Sequence, residues 1–343
     1  MTIMTITDIG SIGYWVEFWW VVPIALAICV VVCLVGVEGS IMFAPFYAVV
    51  FPWLTGIQLT PLQAIQIGIF TEIFGFTSSI VGFARAGLID VRMGLRTAVV
   101  GAPLAVFGVV FAYLIPQPTL LIIVAFTLPL LAWYLRRPVQ TKPGYDEESV
   151  RQAATRLPLC CYASNALYRN EGDASAAKLH VQQQEQVEQE KLDSNTVGKA
   201  LHVHRDRKGH RYRYRRPRPI EQALVGVIGG AFTGVTGFGV GVLGVSHLVL
   251  RRIPLRVAVG TSHFVILIVT CAAVATHLVE VTTRHLTPAW NIIAANVVAV
   301  LVGGQLAAWL AGRLPAHRMR QVLVTLLLVL AVATLARAIQ LLT

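Results

Sequence analysis

Ten apolar segments run along the chain, five on each side of one long polar stretch. They cover about residues 19–36, 41–54, 63–83, 97–115 and 118–135, and then 220–240, 242–250, 257–279, 289–311 and 321–342. The segments are continuously apolar rather than alternating, which excludes a β-barrel. Several of them reach the roughly 20 residues that a membrane-spanning helix requires. We therefore expect an all-α integral membrane protein that is embedded in the lipid bilayer.

The polar stretch, at about residues 136–219, divides the chain into a first membrane repeat (1–135) and a second membrane repeat (220–343). This insert holds 17 of the 28 Lys and Arg residues and 10 of the 17 Asp and Glu residues. Low hydrophobicity and high charge cannot offset the entropy of ordering, so we expect a disordered loop. Its basic end, 204–219, directly precedes a membrane segment. That position favours an anchor on anionic lipid headgroups over a nucleic-acid patch built on Tyr212 and Tyr214.

The composition argues against a soluble enzyme. Of the 343 residues, 56% are hydrophobic and 13% are charged, whereas soluble domains have about 45–50% apolar and about 25% charged residues. A single soluble core would leave too much apolar surface facing water. The sequence has no HExxH or GxSxG motif and no His and Asp cluster at metal-ligand spacing. We therefore predict no enzymatic activity, no metal and no cofactor.

The arginines outside the insert indicate how the chain is threaded through the membrane. No lysine and eleven arginines lie there, and nine of them form three trios, at positions 85, 92 and 96, at 251, 252 and 256, and at 313, 318 and 320. If each half began with one long span, at least one trio would face outside, against the positive-inside rule. All three trios lie inside if segments 19–36 and 41–54 form one hairpin, and 220–240 and 242–250 another, each with both ends on one side.

This arrangement defines the fold that we predict for the membrane part. Each half is a glycine-broken helical hairpin followed by three transmembrane helices, and the halves are inverted repeats, as in many secondary transporters. The insert is then cytoplasmic and both termini lie outside, in a multi-pass protein of the cell (inner) membrane. The first apolar run lacks a basic n-region, so we expect no cleavable signal peptide.

Both predicted hairpins turn at glycine-rich sequences, GVEGS at 36–40 and GVTGFGVG at 234–241. Non-helical backbone at membrane depth either lines a cavity or is buried in protein. The N–H groups at the N-termini of broken helices suit an anion, and no apolar segment carries a central Lys or Arg. The spacing of Gly226, Gly230 and Gly234 predicts close helix packing instead.

Two acidic residues lie deep in the apolar runs, Glu38 in the first break and Glu72 in the middle of the third segment. An ionisable group inside a membrane is a candidate for function, and proton exchange by Glu38 or Glu72 would couple proton movement to anion movement. The alternative is a structural carboxyl or, for Glu38, a cap on the N-terminus of a half-helix. If Glu38 lies in an anion site, we expect it to be protonated or paired.

Further polar residues follow in the second repeat. The hydroxyls of Thr261 and Ser262 can donate to an oxyanion or satisfy a helix carbonyl. His263 either faces the same cavity or serves as a packing donor. For Asn291 and Asn296 we favour hydrogen bonds between helices.

The glycine breaks resemble the GxGGG-xxxx-P signature that opens each half of the TauE/SafE family, the sulfite exporters and their relatives. Residues 36–45 fit this signature with Glu38 and Ser40 in place of glycines, and residues 234–243 fit it more loosely, with Leu243 in place of the proline. A second family signature, AVGTS, stands intact at 258–262 and has a degenerate counterpart at 64–68. A short Gly-Leu-Ile-Asp turn at 87–90 matches a further family feature.

The resemblance implies a secondary transporter of a small sulfur-containing anion, such as sulfite or an organosulfonate, with proton coupling as a further hypothesis. An uncoupled anion channel or facilitator and a membrane-embedded scaffold are the alternatives. The scaffold is disfavoured because it has no use for irregular backbone at membrane depth. For proton coupling we predict Glu38 and Glu72. The predicted substrate-binding residues are Gly36, Glu38, Gly39, Ser40, Gln66, Thr236, Gly237, Gly239, Thr261, Ser262 and His263.

Overall fold

The computed structural model describes residues 19–136, 202–207, 211–310 and 316–340. The first half contains α1 (Val21–Val35), α2 (Ser40–Pro45), a π-helical turn (Phe46–Val50), α3 (Phe51–Thr55), α4 (Pro61–Ala86), α5 (Val91–Leu114) and α6 (Gln117–Arg136). A β-hairpin follows, formed by β1 (His202–Arg205) and β2 (Arg211–Tyr214). The second half contains α7 (Pro219–Thr236), α8 (Val240–Leu250), α9 (Leu255–Thr283), α10 (Trp290–Leu310) and α11 (Ala316–Gln340).

The helices occupy the ten apolar segments and confirm the expected all-α membrane architecture. Among the described residues, five helices are long and apolar enough to cross a membrane: Pro61–Ala86, Val91–Leu114, Leu255–Thr283, Trp290–Leu310 and Gln321–Gln340. Among the same residues, four apolar helical stretches are shorter: Val21–Val35, Ser40–Thr55 and Val240–Leu250 in the two glycine hairpins, as their sequence lengths indicated, and Gln117–Trp133 in α6. The protein is therefore a multi-pass membrane protein.

Each hairpin breaks at a glycine in the left-handed region. Gly36 ends α1 with φ +84° and Gly237 ends α7 with φ +87°, a conformation that a side chain would strain. The chain then turns and restarts as α2 at Ser40 and as α8 at Val240. The second arm of the first hairpin contains Pro45, and the π-helical turn that follows it places a bulge in this arm.

The two halves pack through equivalent pairs of helices. Helix α7 lies on α5, and its counterpart α1 lies on α10; α4 packs on α10 as α9 packs on α5; α6 lies on α11. The glycine spacing on α7 has the predicted role. A Cβ added at Gly230 would lie 2.2 Å from the carbonyl oxygen of Gly101, and one at Gly234 the same distance from that of Ala105. The backbones of α5 and α7 therefore touch, as in other small-residue interfaces.

The connections gather on two faces at opposite ends of the long helices. Face A comprises 56–63, 115–117 and 284–290. There the Leu62 N–H donates to Gln117 Oε1 (3.1 Å), and Gln63 Nε2 donates to the Thr287 carbonyl (3.4 Å). Arg337, near the end of α11, contacts Gln58 on the same face. Face B comprises 86–90, 202–207, 211–218 and 251–254.

The C-terminal end of the insert is ordered on face B. Strands β1 and β2 pair antiparallel, and Tyr212 and Tyr214 are buried. The expectation of a disordered loop is therefore wrong for 202–205 and 211–214, while the insert residues 137–201 lie outside the described part of the chain. Burial alternates along β1, where His202 and His204 are half-buried and Val203 is exposed. A two-stranded ribbon is marginally stable alone, and packing of one face against the helices supports this hairpin.

Asp90, in the turn between α4 and α5, holds this hairpin. Its carboxylate accepts hydrogen bonds from the Tyr214 hydroxyl (2.9 Å) and from Arg216 Nε (2.8 Å) and Nη2 (3.1 Å). Burial alone raises the pKa of Asp90, but the bonds from Arg216 and Tyr214 outweigh burial and hold this pKa below its ordinary value. Because Tyr212 and Tyr214 are buried, neither ring is presented for stacking on a nucleic-acid base.

Candidate functional site

The two glycine breaks lie against each other in the interior of the helix bundle. A Cβ added at Gly237 would lie 3.0 Å from the Cβ of Ser40, and one at Gly36 would lie 3.1 Å from the Val259 side chain. The Ser262 hydroxyl lies 3.1 Å from the Gly36 carbonyl oxygen and 3.3 Å from that of Gly241. We call this region, built from 36–40, 237–242, Glu72 and Ser262, the crossing.

The Glu38 carboxylate lies at the N-terminus of α8, a helix from the other half of the chain. Its Oε1 accepts hydrogen bonds from the N–H groups of Gly239 (2.8 Å) and Gly241 (2.7 Å). The Thr233 hydroxyl donates to the same oxygen (3.1 Å), and the Val242 N–H donates to Oε2 (3.2 Å). Glu38 is thus a cap on a half-helix N-terminus, but on α8 rather than on its own α2.

The Glu72 carboxylate, from α4, has the corresponding place at the N-terminus of α2. Its Oε2 accepts hydrogen bonds from the Ser40 N–H (2.9 Å) and the Ser40 hydroxyl (2.7 Å). The Thr270 hydroxyl, from α9, donates to Oε1 (2.8 Å). Each half-helix N-terminus at the crossing is therefore already capped by a side-chain carboxyl group of the protein itself.

The crossing is closed to solvent in this conformation. Glu38, Ser40 and Thr233 are fully buried, and Glu72 and Ser262 are 2% exposed. Among the described residues, no Lys or Arg lies within ion-pair distance of either carboxylate. Within the described part of the chain, the hydrogen-bond donors to the two acids are backbone N–H groups and hydroxyls.

Three predicted substrate-binding residues lie elsewhere. Gln66 donates to the Tyr113 hydroxyl (2.8 Å), which lies 3.1 Å from His277 Nδ1 in a cluster towards face A. Thr261 Oγ1 accepts a hydrogen bond from the Asp90 N–H (3.0 Å), towards face B. His263 Nδ1 lies 3.0 Å from the Ser79 hydroxyl, between aromatic rings.

The other predicted residues lie at the crossing or beside it. Ser40 and Gly239 donate hydrogen bonds to the two carboxyl groups, and a Cβ added at Gly39 would lie 3.4 Å from the Cβ of Glu72. Gly36, Gly237 and Ser262 lie beside them in the two breaks. The Thr236 hydroxyl lies within hydrogen-bond distance of the carbonyls of Phe232 (2.9 Å) and Phe238 (3.0 Å), so it supports the backbone of the second break.

Sequence reasoning missed Thr233 and Thr270, and it placed Gly241 in the second glycine-rich turn without giving it a role in the site. The Thr233 hydroxyl donates to Glu38 and accepts from the Val240 N–H (3.0 Å), which joins α7 to α8 across the break. A hydroxyl on an otherwise apolar helix was the available signal for both threonines. Gly241 carries no such signal, because its importance lies in the space beside it: an added Cβ would lie 2.6 Å from Glu38 Oε2.

A second polar chain stabilises the helices beside Glu72. The Tyr47 hydroxyl, in the π-helical turn, donates to Asn296 Oδ1 (2.7 Å), and Asn296 Nδ2 donates to Thr71 Oγ1 (3.3 Å). These bonds join the first hairpin, α10 and α4, which is the helix-joining role expected of Asn296.

Comparison with known protein families decides the relationship of this chain. The model of the family described as Sulfite exporter TauE/SafE matches residues 21–334, nearly the whole chain. The chain belongs to the TauE/SafE family. Members of this family are membrane transporters of sulfite and related anions, so the resemblance drawn from the glycine motifs is confirmed. No curated protein and no solved structure matches the chain significantly.

The family motifs of TauE/SafE have distinct places in the structure. The glycine signatures form the two breaks, and the AVGTS motif at 258–262 brings Ser262 to the crossing. The Gly-Leu-Ile-Asp turn places Asp90 at the N-terminus of α5, where its side chain accepts a hydrogen bond from the Met93 N–H (3.1 Å). The first glycine signature has Glu38 and Ser40 in place of glycines. Glu38 caps the N-terminus of α8, and Ser40 begins α2 and donates to Glu72.

Proposed function

We propose that this protein is a secondary transporter of a small sulfur-containing anion, such as sulfite or an organosulfonate, and that it binds the anion at the crossing. The observation that carries this proposal is the occupancy of both helix ends by the carboxylates of Glu38 and Glu72. Donors that stabilise a side-chain carboxylate also suit a substrate oxyanion. Family membership supports the substrate class.

Substrate binds by exchange with a carboxylate. With no cation beside the crossing among the described residues, a substrate anion next to two ionised carboxylates would be costly to bury. Protonation of Glu38 or Glu72 removes one charge and weakens the hydrogen bonds that this carboxyl group accepts from the N–H donors. These donors then bind the substrate oxyanion instead. One proton therefore moves with the anion, and the two acids form the coupling device.

Inverted repeats give this site access to both sides of the membrane. Support comes from the equivalent packing of the two halves and from the alternation of their connections between face A and face B. The positive-inside rule assigns face B, with Arg85, Arg92, Arg251 and Arg252, to the cytoplasm. The insert is then cytoplasmic, and both membrane-domain ends, at Trp19 and Gln340, lie outside.

The proposal is tested first by binding. Purified protein is heated with sulfite, sulfate, thiosulfate or an alkyl sulfonate at constant ionic strength, and the unfolding temperature is recorded. We expect at least one sulfur oxyanion to raise this temperature more than chloride does. No shift with any of these anions would remove the substrate proposal.

Transport and coupling are tested next, by sulfite uptake into proteoliposomes with and without a pH gradient. We expect a pH gradient to accelerate uptake by the natural sequence, and Glu38→Gln or Glu72→Gln to abolish that acceleration. Glu280→Gln is the matched control, because Glu280 pairs with Arg284 near face A and is remote from the crossing. Uptake that ignores the gradient in the natural sequence would indicate an uncoupled facilitator, and absence of uptake would favour a scaffold.

A further inference from the structure

An arginine-lined cavity opens on face B, away from the crossing. Its volume is about 340 Å³, and it is lined by Arg215, Arg216, Pro217, Arg218, Glu221 and Arg251. It lies where the segment after β2 meets the N-terminus of α7 and the C-terminus of α8. Four guanidinium groups and one carboxylate give the lining a net charge of +3.

The four arginines do not have equal partners. Arg216 is held by Asp90, and Arg251 Nη2 lies 2.6 Å from Glu221 Oε1. Arg215 and Arg218 are exposed, and within the described part of the chain neither has an ion-pair partner. Two guanidinium groups are thus available to a ligand, beside the positive end of α7.

The surface of α7 next to this cavity is apolar and exposed. Ile220, Leu224 and Ile228 are 68%, 56% and 50% exposed and recur every fourth residue, so they form one stripe along the helix. The stripe begins two residues after Arg218. A ligand with a phosphate and acyl chains would match both surfaces, since its phosphate would bind the arginines of the cavity and its acyl chains would pack along the apolar stripe.

We propose that this cavity binds the phosphate headgroup of an anionic phospholipid. Guanidinium groups recognise phosphate oxygens through paired, charge-assisted hydrogen bonds. The cavity is larger than one tetrahedral oxyanion requires, which leaves room for the glycerol that carries the phosphate. A lipid held there joins the insert, through Arg215 and Arg218, to the second broken hairpin, through Arg251.

Binding to delipidated protein in neutral detergent tests this proposal. The probes are dihexanoyl phosphatidate, dihexanoyl phosphatidylglycerol and dihexanoyl phosphatidylcholine, with glycerol 3-phosphate and inorganic phosphate as soluble sources of the same group. We expect phosphatidate to bind most tightly, because its phosphate monoester carries the most charge, and the zwitterionic phosphatidylcholine to bind least. Soluble phosphates that bind as tightly as phosphatidate would overturn the assignment to a lipid.

The double variant Arg215→Gln/Arg218→Gln tests the location. We expect it to weaken phosphatidate binding by at least about tenfold, since each lost guanidinium removes charge-assisted bonds to phosphate. The matched control is Arg85→Gln/Arg92→Gln, which removes two exposed charges from the same face outside the cavity. Equal weakening by both double variants would show general surface attraction and overturn the site. Retained thermal unfolding temperature would confirm that the variants are folded.

Discussion

Replacing Glu38 with alanine removes the carboxyl group from the N-terminus of α8 and leaves its donors without an acceptor. Three N–H groups and the Thr233 hydroxyl donate to this carboxylate in a fully buried position. A buried donor left unsatisfied costs about 1–3 kcal/mol. Taking the lower figure for each, because water can enter the space, we expect a loss of about 4 kcal/mol.

The assay is thermal unfolding of the purified protein in detergent. In large domains a change of 1 kcal/mol shifts the midpoint by about 2 °C, so Glu38→Ala should unfold about 8 °C lower. Glu280→Ala is the control, because the ion pair of Glu280 among the described residues is with Arg284, near face A. We expect its midpoint to change by about 1 °C or less, since partly exposed pairs contribute little.

Small anions should restore the Glu38→Ala variant. The substitution leaves an acetate-sized space with its donors in place, so acetate or sulfite should raise the midpoint of this variant more than that of the natural sequence. Chloride at equal ionic strength is the reference. A variant that unfolds like the natural sequence, or a folded variant that no anion stabilises, would refute the argument. If Glu38→Ala does not fold, Glu38→Gln should, with a smaller loss of about 2 kcal/mol.

Three further predictions concern other parts of the structure. Gly241→Ala should destabilise the protein by about 1–3 kcal/mol in thermal unfolding, since its Cβ would lie 2.6 Å from Glu38 Oε2, whereas Gly244→Ala should be tolerated with its nearest neighbour at 3.7 Å. Asp90→Asn should expose residues 202–205 to hydrogen exchange. In the natural sequence the pKa of Asp90 is lowered in the folded state. Protection of this strand should therefore persist above an ordinary Asp pKa of about 3.9 and be lost only as the pH falls through the lowered value. A single cysteine at Gln58 in a cysteine-free background should react with an impermeant thiol reagent from outside the cell, and labelling only after permeabilisation would contradict the topology.

The helices were predictable because the bilayer requires long apolar segments, and the breaks were predictable because glycines recur at equivalent places. The arginine trios constrained the topology through charge alone. Arg251 and Arg252 lie on face B, Arg313 lies outside the described residues, and the side of the membrane on which face B lies stays a prediction.

The pairing of Glu38 with α8 could not be predicted from the sequence. It joins residues about 200 positions apart, and only the packing of the two halves brings them together. Glu72 and Thr270 meet for the same reason. Local pattern identified the acids as unusual but could not say which helix end each one caps.

The ordered hairpin of the insert was missed because its composition resembles a disordered segment. Tyr212 and Tyr214 alternate with arginines, and His202 and His204 flank Val203. This two-residue alternation is typical of a strand, but the high charge of the segment favoured the prediction of disorder. The partner that orders it, Asp90, lies in the first repeat.

Infrared difference spectroscopy of the carboxyl groups tests the central claim most directly. Sulfite is added to the reconstituted protein, and the C=O stretch of protonated carboxyl groups is recorded before and after binding. If sulfite replaces a carboxylate at the crossing, this band must grow when sulfite binds to the natural sequence. The increase on binding must be smaller or absent in Glu38→Gln or Glu72→Gln. Sulfite binding that leaves the carboxyl region unchanged would contradict the exchange of substrate for side-chain carboxylate.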